Sequence, residues 1–222
     1  MYRNEKNHIC RIRGQRFLGR EVMSLVRAHF QQNGCQTDQF VFVDDNRTAS
    51  EVNGRKIFTY DELLACKADR RCVVIAIADS AFRQRLAEKI LADGLELFQV
   101  KANNVVAMDE VEMAEGAILC PFVTLTSNIR IGKCFHANIY SYVEHDCRIG
   151  DYVTFAPAVR CNGNVVIEDH AYIGTGAIIR QGKPGAPLII GKHAVVGMGA
   201  VVTKNVAAGT TVVGNPARPL VR

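Results

Sequence analysis

The chain has 222 residues, of which 48% are hydrophobic and 22% charged, a balance typical of a globular protein with one or two domains. Its longest apolar run, residues 72–78, is far shorter than the roughly 20 residues of a membrane helix, which excludes a spanning segment, and its first residues lack the apolar core of a secretory signal. The net charge of +5 comes without the dense Lys/Arg cluster of a nucleic-acid-binding surface, so it favours small anions such as nucleotides or phosphorylated cofactors, or else a solvated basic surface.

The first hundred residues alternate between strand and helix signals. Strands are predicted at residues 9–12, 39–44, 72–78 and 95–100. Helices are predicted at 19–34, from a capping box at Thr59–Glu62 to Cys66, and from a cap at Ser80 to a stop at Gly94. The inward side chains predicted for the third helix are Phe82, Leu86, Ile90 and Leu91. Repeated βα units indicate a small parallel sheet with covering helices, which we take as a domain spanning residues 1–100.

From residue 101 onward the pattern changes to a period of six. Every sixth residue is apolar in a series of twelve: Met113, Leu119, Leu125, Ile131, Ala137, Val143, Ile149, Phe155, Cys161, Ile167, Ile173 and Ile179. After a Gly/Pro-rich interruption, QGKPGAPL, the series resumes with an offset of five at Ile190, Val196 and Val202. A hexapeptide period predicts a parallel β-helix over residues 101–222, in which three short faces form one coil and residues 18 apart stack.

The eight cysteines are scattered along the chain and form no CxxC motif. We interpret them as reduced, mostly packed thiols of a cytoplasmic protein rather than as a disulfide framework or a metal site.

Several segments together resemble a known family. IGTGAI, IIGKHAVVGMGAVVTKNV and VVGNPARPL resemble the hexapeptide-repeat acyltransferases, whose coils form a left-handed β-helix. LGREVMSLV, FVDDN, NGRKIFTYDELL, IAIADSAFRQRLAEKI and YVEHDCRIGDYV resemble the nucleotide-sugar N-acetyltransferases of the bacillosamine-pathway type. The resemblance covers nearly the whole chain. It implies a Rossmann-like domain before the β-helix, a homotrimer, and acetyl transfer from acetyl-CoA to the 4-amino group of a nucleotide-linked 4-amino-4,6-dideoxy sugar, with UDP favoured over dTDP.

The resemblance also assigns catalytic residues. An amine that attacks a thioester must lose a proton, and histidine is a suitable base near neutral pH. Six histidines are present, and the motif VEHDC selects His145 as the base with Asp146 as its orienting carboxylate. The 18-residue register stacks Gly163 on His145, where the family uses a backbone N–H to hold the thioester carbonyl oxygen. Asn138 matches a family asparagine that contacts the sugar or the histidine, or else is a turn residue.

The resemblance places coenzyme A along the later coils, between adjacent subunits. Lys204 and Arg218 are candidate partners for its phosphates. Thr154 occupies the position at which some relatives have a second histidine near the acetyl group. The remaining candidates are small residues that let the pantetheine arm approach the coil: Gly174, Thr175, Gly197, Gly199 and Ala200.

The nucleotide sugar is expected at the strand ends of the first domain. Asp44 and Asp45 match the acidic pair after the second strand, and Ala78 stands where the family often has glycine. The Gly-rich loop departs from the family pattern, because its outer residue Gly14 is present but its middle glycine is replaced by Phe17. Arg16 is the residue that would compensate by pairing with phosphate. We therefore expect weakened nucleotide binding by this loop.

Three alternatives differ in reaction or in class. A γ-class carbonic anhydrase shares the β-helix but needs three zinc-ligating histidines at a spacing that no pair of histidines here has. An O-acetyltransferase acting on serine or sialic acid would keep the coenzyme site and change the acceptor. A non-enzymatic scaffold with a decayed nucleotide loop is the least favoured.

Overall fold

The computed structural model of the protein describes residues 8–13, 17–32, 40–66 and 70–221. The chain divides into two compact units, Met1–Val100 and Lys101–Arg222. None of the helices in the described ranges combines the length and apolar character that crossing a bilayer requires.

The first unit is a six-stranded sheet with three helices. Its strands are β1 (His8–Arg13), β2 (Val41–Val43), β3 (Glu51–Val52), β4 (Arg55–Phe58), β5 (Arg70–Ile75) and β6 (Glu96–Leu97). Its helices are α1 (Phe17–Gln32), α2 (Tyr60–Ala65) and α3 (Ser80–Ala92). The strand order is β3-β4-β2-β1-β5-β6, and every neighbouring pair is parallel except β3 and β4. The predicted parallel sheet is thus confirmed, and its central strand β1 lies between β2 and β5.

The helix starts are partly as predicted. Thr59 caps α2, and its reciprocal hydrogen bonds with Glu62 complete the predicted capping box. The predicted cap at Ser80 is wrong by one residue: Asp79 is the N-cap of α3, and its carboxylate accepts a hydrogen bond of 2.7 Å from the N–H of Phe82. A carboxylate is an equally good cap and also interacts favourably with the positive end of the helix dipole.

The buried face of α3 differs from the predicted apolar stripe. Leu86 and Ile90 are buried as predicted, whereas Phe82 and Leu91 are each 40% exposed. Arg83 takes an inward position instead and is 0% exposed. Its guanidinium donates hydrogen bonds to the carbonyls of the loop that follows β5, so backbone acceptors compensate for burial of the charge.

Two features of the sheet were not foreseen. The predicted strand at 95–100 is shorter, because only Glu96–Leu97 joins this sheet, while Val100–Lys101 pairs within the second unit. An antiparallel hairpin of β3 and β4 extends the opposite edge. It turns at Asn53 and Gly54, whose φ angles of 49° and 71° suit an Asn-Gly turn.

The second unit is a parallel β-helix with three faces. The first face consists of β7 (Val100–Lys101), β10 (Ile118–Leu119), β13 (His136–Ala137), β16 (Thr154–Phe155), β19 (Tyr172–Ile173), β22 (Val195–Val196), β24 (Thr211–Val213) and the antiparallel β25 (Arg218–Pro219). The second face consists of β8 (Val106–Ala107), β11 (Thr124–Leu125), β14 (Tyr142–Val143), β17 (Arg160–Cys161), β20 (Ile178–Ile179) and β23 (Val201–Val202). The third face consists of β9 (Val111–Met113), β12 (Ile129–Ile131), β15 (Arg148–Ile149), β18 (Val165–Ile167) and β21 (Leu188–Ile190).

The interior of the β-helix is the predicted hexapeptide series. Every member except the half-buried Met113 is buried. Strands pair with a step of 18 residues, as in Tyr142 with Arg160, confirming the predicted coil length. The step lengthens to 23 residues where the interrupting segment lies, as in Tyr172 with Val195. The segment is therefore accommodated as a loop, and the interior column continues unbroken.

The three edges between faces share one backbone device. At every sixth position the chain adopts a positive φ, and these residues are Glu110, Gly116, Phe122, Asn128, Cys134, Tyr140, Asp146, Tyr152, Ala158, Asn164, His170 and Gly176. We name each edge after one residue that lies on it. The His145 edge joins the second face to the third and includes Gly163, the Gly174 edge joins the first face to the second and includes Asn138, and the Tyr152 edge joins the third face to the first.

Candidate active site

His145 lies in a tight turn on the His145 edge. The turn is held to its neighbours by backbone hydrogen bonds, from Asp146 N to Ser127 O at 3.1 Å and from Asn164 N to His145 O at 2.9 Å. Asp146 occupies the left-handed position with φ 57°, a conformation that aspartate tolerates better than most residues. The sequence His-Asp at this turn therefore directs both side chains to the same side of the coil.

The two side chains form a hydrogen-bonded pair. Nδ1 of His145 lies 2.8 Å from Oδ2 of Asp146. A carboxylate at this distance stabilises the tautomer with the proton on Nδ1, which leaves Nε2 as an acceptor. The side chains are 44% and 49% exposed in the single chain, so Nε2 is accessible to a substrate. The pair has the geometry of a general base with an orienting carboxylate.

Gly163 lies directly against the imidazole, as the 18-residue register predicts. A Cβ at this position would lie 2.5 Å from Cε1 and 2.6 Å from Nε2 of His145, so only glycine leaves room for the ring. Its carbonyl accepts a hydrogen bond from Gly182, but within the described part of the chain its N–H donates none. An unpaired backbone N–H beside a candidate base is a suitable donor to a developing oxyanion.

Asn138 does not form the expected hydrogen bond with His145. It lies on the Gly174 edge, and its side-chain amide donates to the carbonyl of Phe155 at 2.9 Å. Asn162, near the His145 edge, makes the equivalent bond to Ile179 at 2.8 Å. The amide therefore joins neighbouring coils at both places, which agrees with the turn interpretation of Asn138.

The small residues proposed for coenzyme binding line the Gly174 edge. A Cβ on Gly174 would lie 2.6 Å from the backbone N of Met198, and one on Gly197 would lie 2.7 Å from a methyl group of Val213. These two glycines are thus required for coil stacking. Gly199 takes the left-handed conformation with φ 66°, and Ala200 is buried.

The other coenzyme candidates lie elsewhere on the β-helix. Thr175 begins the turn that follows Gly174, whereas Thr154 is buried in β16 of the first face. Lys204 and Arg218 are exposed near the end of the chain. Within one chain the Gly174 edge and the His145 edge are separated by the second face, so the structure does not bring these residues to His145.

In the first unit, the acidic pair follows β2 and shapes its own loop. Asp44 accepts a hydrogen bond from Asn46 N at 2.9 Å, and Asp45 accepts one from Tyr60 N at 2.6 Å at the start of α2. Ala78 lies in the loop after β5, and its carbonyl accepts a hydrogen bond from Arg83. The predicted contacts of Gly14 and Arg16 lie outside the described residues.

Three residues near His145 were missed by sequence reasoning. Tyr142 donates its hydroxyl proton to Asn162 at 3.0 Å, and the buried Cys147 thiol lies 3.3 Å from the carbonyl of Asn162. The 18-residue register could have placed Asn162 beside the His145 turn, but no motif singled it out. The six cysteines whose side chains are described are free thiols, and no group of three His, Cys, Asp or Glu in the described ranges is placed to hold a metal ion.

Known proteins resemble this chain along nearly its whole length. It is 52% identical over 205 residues to the GDP-perosamine N-acetyltransferase of Escherichia coli O157:H7, which covers 92% of each chain. WeeI from Acinetobacter baumannii AYE has a solved structure with 56% identity and a TM-score of 0.92, over 96% of this chain and 99% of that one. The acetyltransferase domain of PglB from Neisseria gonorrhoeae FA1090 matches with 25% identity and a TM-score of 0.84, over 95% and 98% of the two chains.

No family model matches the sequence. The extent and identity of the match to the Escherichia coli enzyme are nevertheless sufficient to show the family. With the hexapeptide coils and the His145–Asp146 pair in place, the chain belongs to the hexapeptide-repeat nucleotide-sugar N-acetyltransferases and is an acyltransferase.

Proposed function

We propose that the protein transfers the acetyl group of acetyl-CoA to the 4-amino group of a nucleotide-linked 4-amino-4,6-dideoxy sugar, for use in bacterial glycan synthesis. The single observation that carries the proposal is the His145–Asp146 pair against Gly163, because it provides a base and an unpaired N–H at one point of the β-helix. The β-helix is left-handed, and the first unit is a Rossmann-like domain that binds the nucleotide.

The residues act in a defined order in this reaction. The amine nitrogen attacks the thioester carbonyl carbon, and a C–N bond forms while the carbonyl π electrons move to oxygen. The N–H of Gly163 donates a hydrogen bond to that oxyanion. Nε2 of His145 takes a proton from the nitrogen, and Asp146 stabilises the imidazolium that results. The oxyanion then collapses, the C–S bond breaks, and the coenzyme A thiolate leaves and takes the proton from His145.

The relatives favour a particular acceptor. The 52% identical Escherichia coli protein is named for GDP-perosamine, a 4-amino-4,6-dideoxy sugar linked to GDP. We therefore propose GDP-perosamine as the acceptor, in place of the UDP-linked sugar that the sequence resemblance favoured. Asp44 is the candidate contact on the nucleotide side, since it is half-buried and directly follows the central strand β2.

Purified protein assayed against a panel of acceptors tests this function. The panel contains GDP-, UDP- and dTDP-linked 4-amino sugars, with serine and sialic acid as hydroxyl acceptors, and release of free coenzyme A thiol is measured. We expect the highest kcat/KM with GDP-perosamine, and mass spectrometry should place the acetyl group on nitrogen. A preference for a hydroxyl acceptor would contradict the proposal.

The positions of the two edges support assembly as a homotrimer. The His145 edge carries the base, and the Gly174 edge carries the small residues proposed for coenzyme binding. If neighbouring subunits meet along these edges, each active site contains both sets. We expect a trimer in analytical ultracentrifugation at assay concentration. A monomer with full activity would contradict a shared site.

Replacing Asp146 by asparagine tests the orienting role. The amide is close in size to the carboxylate but lacks its charge, so the imidazolium loses its stabilising partner. We expect kcat to fall on the order of tenfold, with little change in KM for acetyl-CoA. Steady-state kinetics measure the change. The exchange Asp151→Asn on the Tyr152 edge is the matched control and should leave kcat unchanged.

A further inference from the structure

The peptide unit between Asn162 and Gly163 is held from both ends and from both sides of the coil. Its nitrogen end is the N–H that the proposed reaction uses for the oxyanion, and its carbonyl end faces the interior. We infer that Cys147 and Tyr142 are positioning residues, which aim the Gly163 N–H through their contacts with Asn162. The inference rests on the proposed acetyl transfer.

The carbonyl of Asn162 is directed toward buried thiols. Sγ of Cys147 lies 3.3 Å from the carbonyl oxygen and Sγ of Cys161 lies 3.8 Å from it. Both cysteines are 0% exposed. A trans peptide is planar, so its C=O and N–H point in opposite directions. With the carbonyl held inward by the thiols, the N–H of Gly163 points away from the interior, on the side of the coil where the His145 ring lies.

The side chain of Asn162 fixes the same peptide from the surface. Its amide donates to the carbonyl of Ile179 at 2.8 Å, and its backbone N–H donates to that same oxygen at 3.3 Å. The remaining polar atom, Oδ1, accepts the hydroxyl proton of Tyr142 at 3.0 Å. All four polar groups of Asn162 are therefore engaged. Desolvation, followed by the charge of Glu144, raises the pKa of Tyr142, so its hydroxyl remains a donor across the working pH range.

The thiol of Cys147 also contacts the backbone of the base residue. Sγ lies 3.6 Å from the carbonyl oxygen of His145, in addition to its shorter contact with Asn162. One buried group thus lies between the backbone of the proton acceptor and the peptide of the oxyanion donor. This arrangement keeps the two catalytic elements at a fixed separation across adjacent coils.

A comparison within the β-helix separates this arrangement from ordinary coil packing. The amide of Asn138 makes the same type of bond to the next coil as that of Asn162. The bonds from a tyrosine hydroxyl and a cysteine thiol are added at Asn162, beside His145. Coil stacking alone accounts for the shared amide bond, and aiming the Gly163 N–H accounts for the added ones.

Three variants test the inference in steady-state assays with the full-length protein. Cys147→Ala removes the interior donor, and Cys147→Ser keeps a donor at the same place. Tyr142→Phe removes only the surface hydroxyl. We expect Cys147→Ala to lower kcat on the order of tenfold and Tyr142→Phe to lower it about fivefold, because a misaimed oxyanion donor loses transition-state stabilisation. KM for both substrates should change less than about twofold, and Cys147→Ser should recover most of kcat.

The controls distinguish aiming from folding and from the proposed function. Cys134→Ala removes another fully buried thiol, from the Tyr152 edge, and should keep wild-type kcat. The pH midpoint of kcat should be the same in all variants, because the His145–Asp146 pair is intact. Unchanged kcat in both Cys147→Ala and Tyr142→Phe, or a loss expressed in KM, would overturn the inference. A wild-type protein that acetylates no amino sugar would instead contradict the proposed function.

Discussion

We expect the variant His145→Ala to lower kcat by a factor on the order of 10² to 10⁴, with little change in KM for acetyl-CoA. The imidazole is the group placed to take the amine proton, since its Nδ1 faces Asp146 and its Nε2 is accessible. Removing it leaves the coenzyme site unchanged, so the loss should appear in the chemical step. Release of coenzyme A thiol at saturating substrate measures the effect.

The control for this variant is His193→Ala. His193 is exposed on the Tyr152 edge, where its ring stacks on His170 at 4.6 Å between centroids. It is a histidine of the same β-helix on an edge that carries none of the proposed machinery. We expect wild-type kcat for His193→Ala. Wild-type turnover by His145→Ala would contradict the assignment of the base.

The second large effect is expected for Gly163→Ala. The new methyl group would lie 2.5 Å from Cε1 and 2.6 Å from Nε2 of His145, so the ring must leave its position. Gly163 does not have a positive φ, so alanine adds no backbone strain, and the thermal unfolding midpoint should change little. We expect kcat to fall about 100-fold, because displacement of a catalytic group by about 1 Å has effects of this size.

The double variant Gly163→Ala/His145→Ala isolates the cause. Without the imidazole, the methyl group displaces nothing, so the double variant should have nearly the kcat of His145→Ala alone. A double-mutant cycle measures this coupling directly. If the two losses instead multiply, the methyl group acts on the oxyanion donor or on substrate access rather than on the ring.

The β-helix could be predicted almost completely from the sequence, because each coil repeats one elementary requirement. An apolar residue at every sixth position must face the interior, and the register of 18 follows from three faces. The edges could not be predicted, because Phe122, Tyr140 and His170 adopt positive φ angles that their side chains disfavour. Stacking of the coils imposes that conformation regardless of local preference.

The first unit was harder to predict because tertiary contacts override its helix pattern. The apolar stripe of α3 counted Phe82 as inward, but the inward position went to Arg83, which satisfies two loop carbonyls. At the candidate site, the motif identified His145 and the register identified Gly163. Tyr142 and Cys147 act through the backbone of other residues, and no sequence motif records such contacts.

The interrupting segment between β20 and β21 shows how this architecture accepts length changes. It lengthens one coil from 18 to 23 residues, yet the strands on either side remain in register because the extra residues leave the coil as a loop. A deletion of one hexad elsewhere would behave differently. The local repeat would survive, but every later residue would move by one edge, and Gly163 would no longer face His145. Only the loss or gain of a whole coil, or of a loop, preserves the site, so the coil is the unit in which such a chain can grow or shorten.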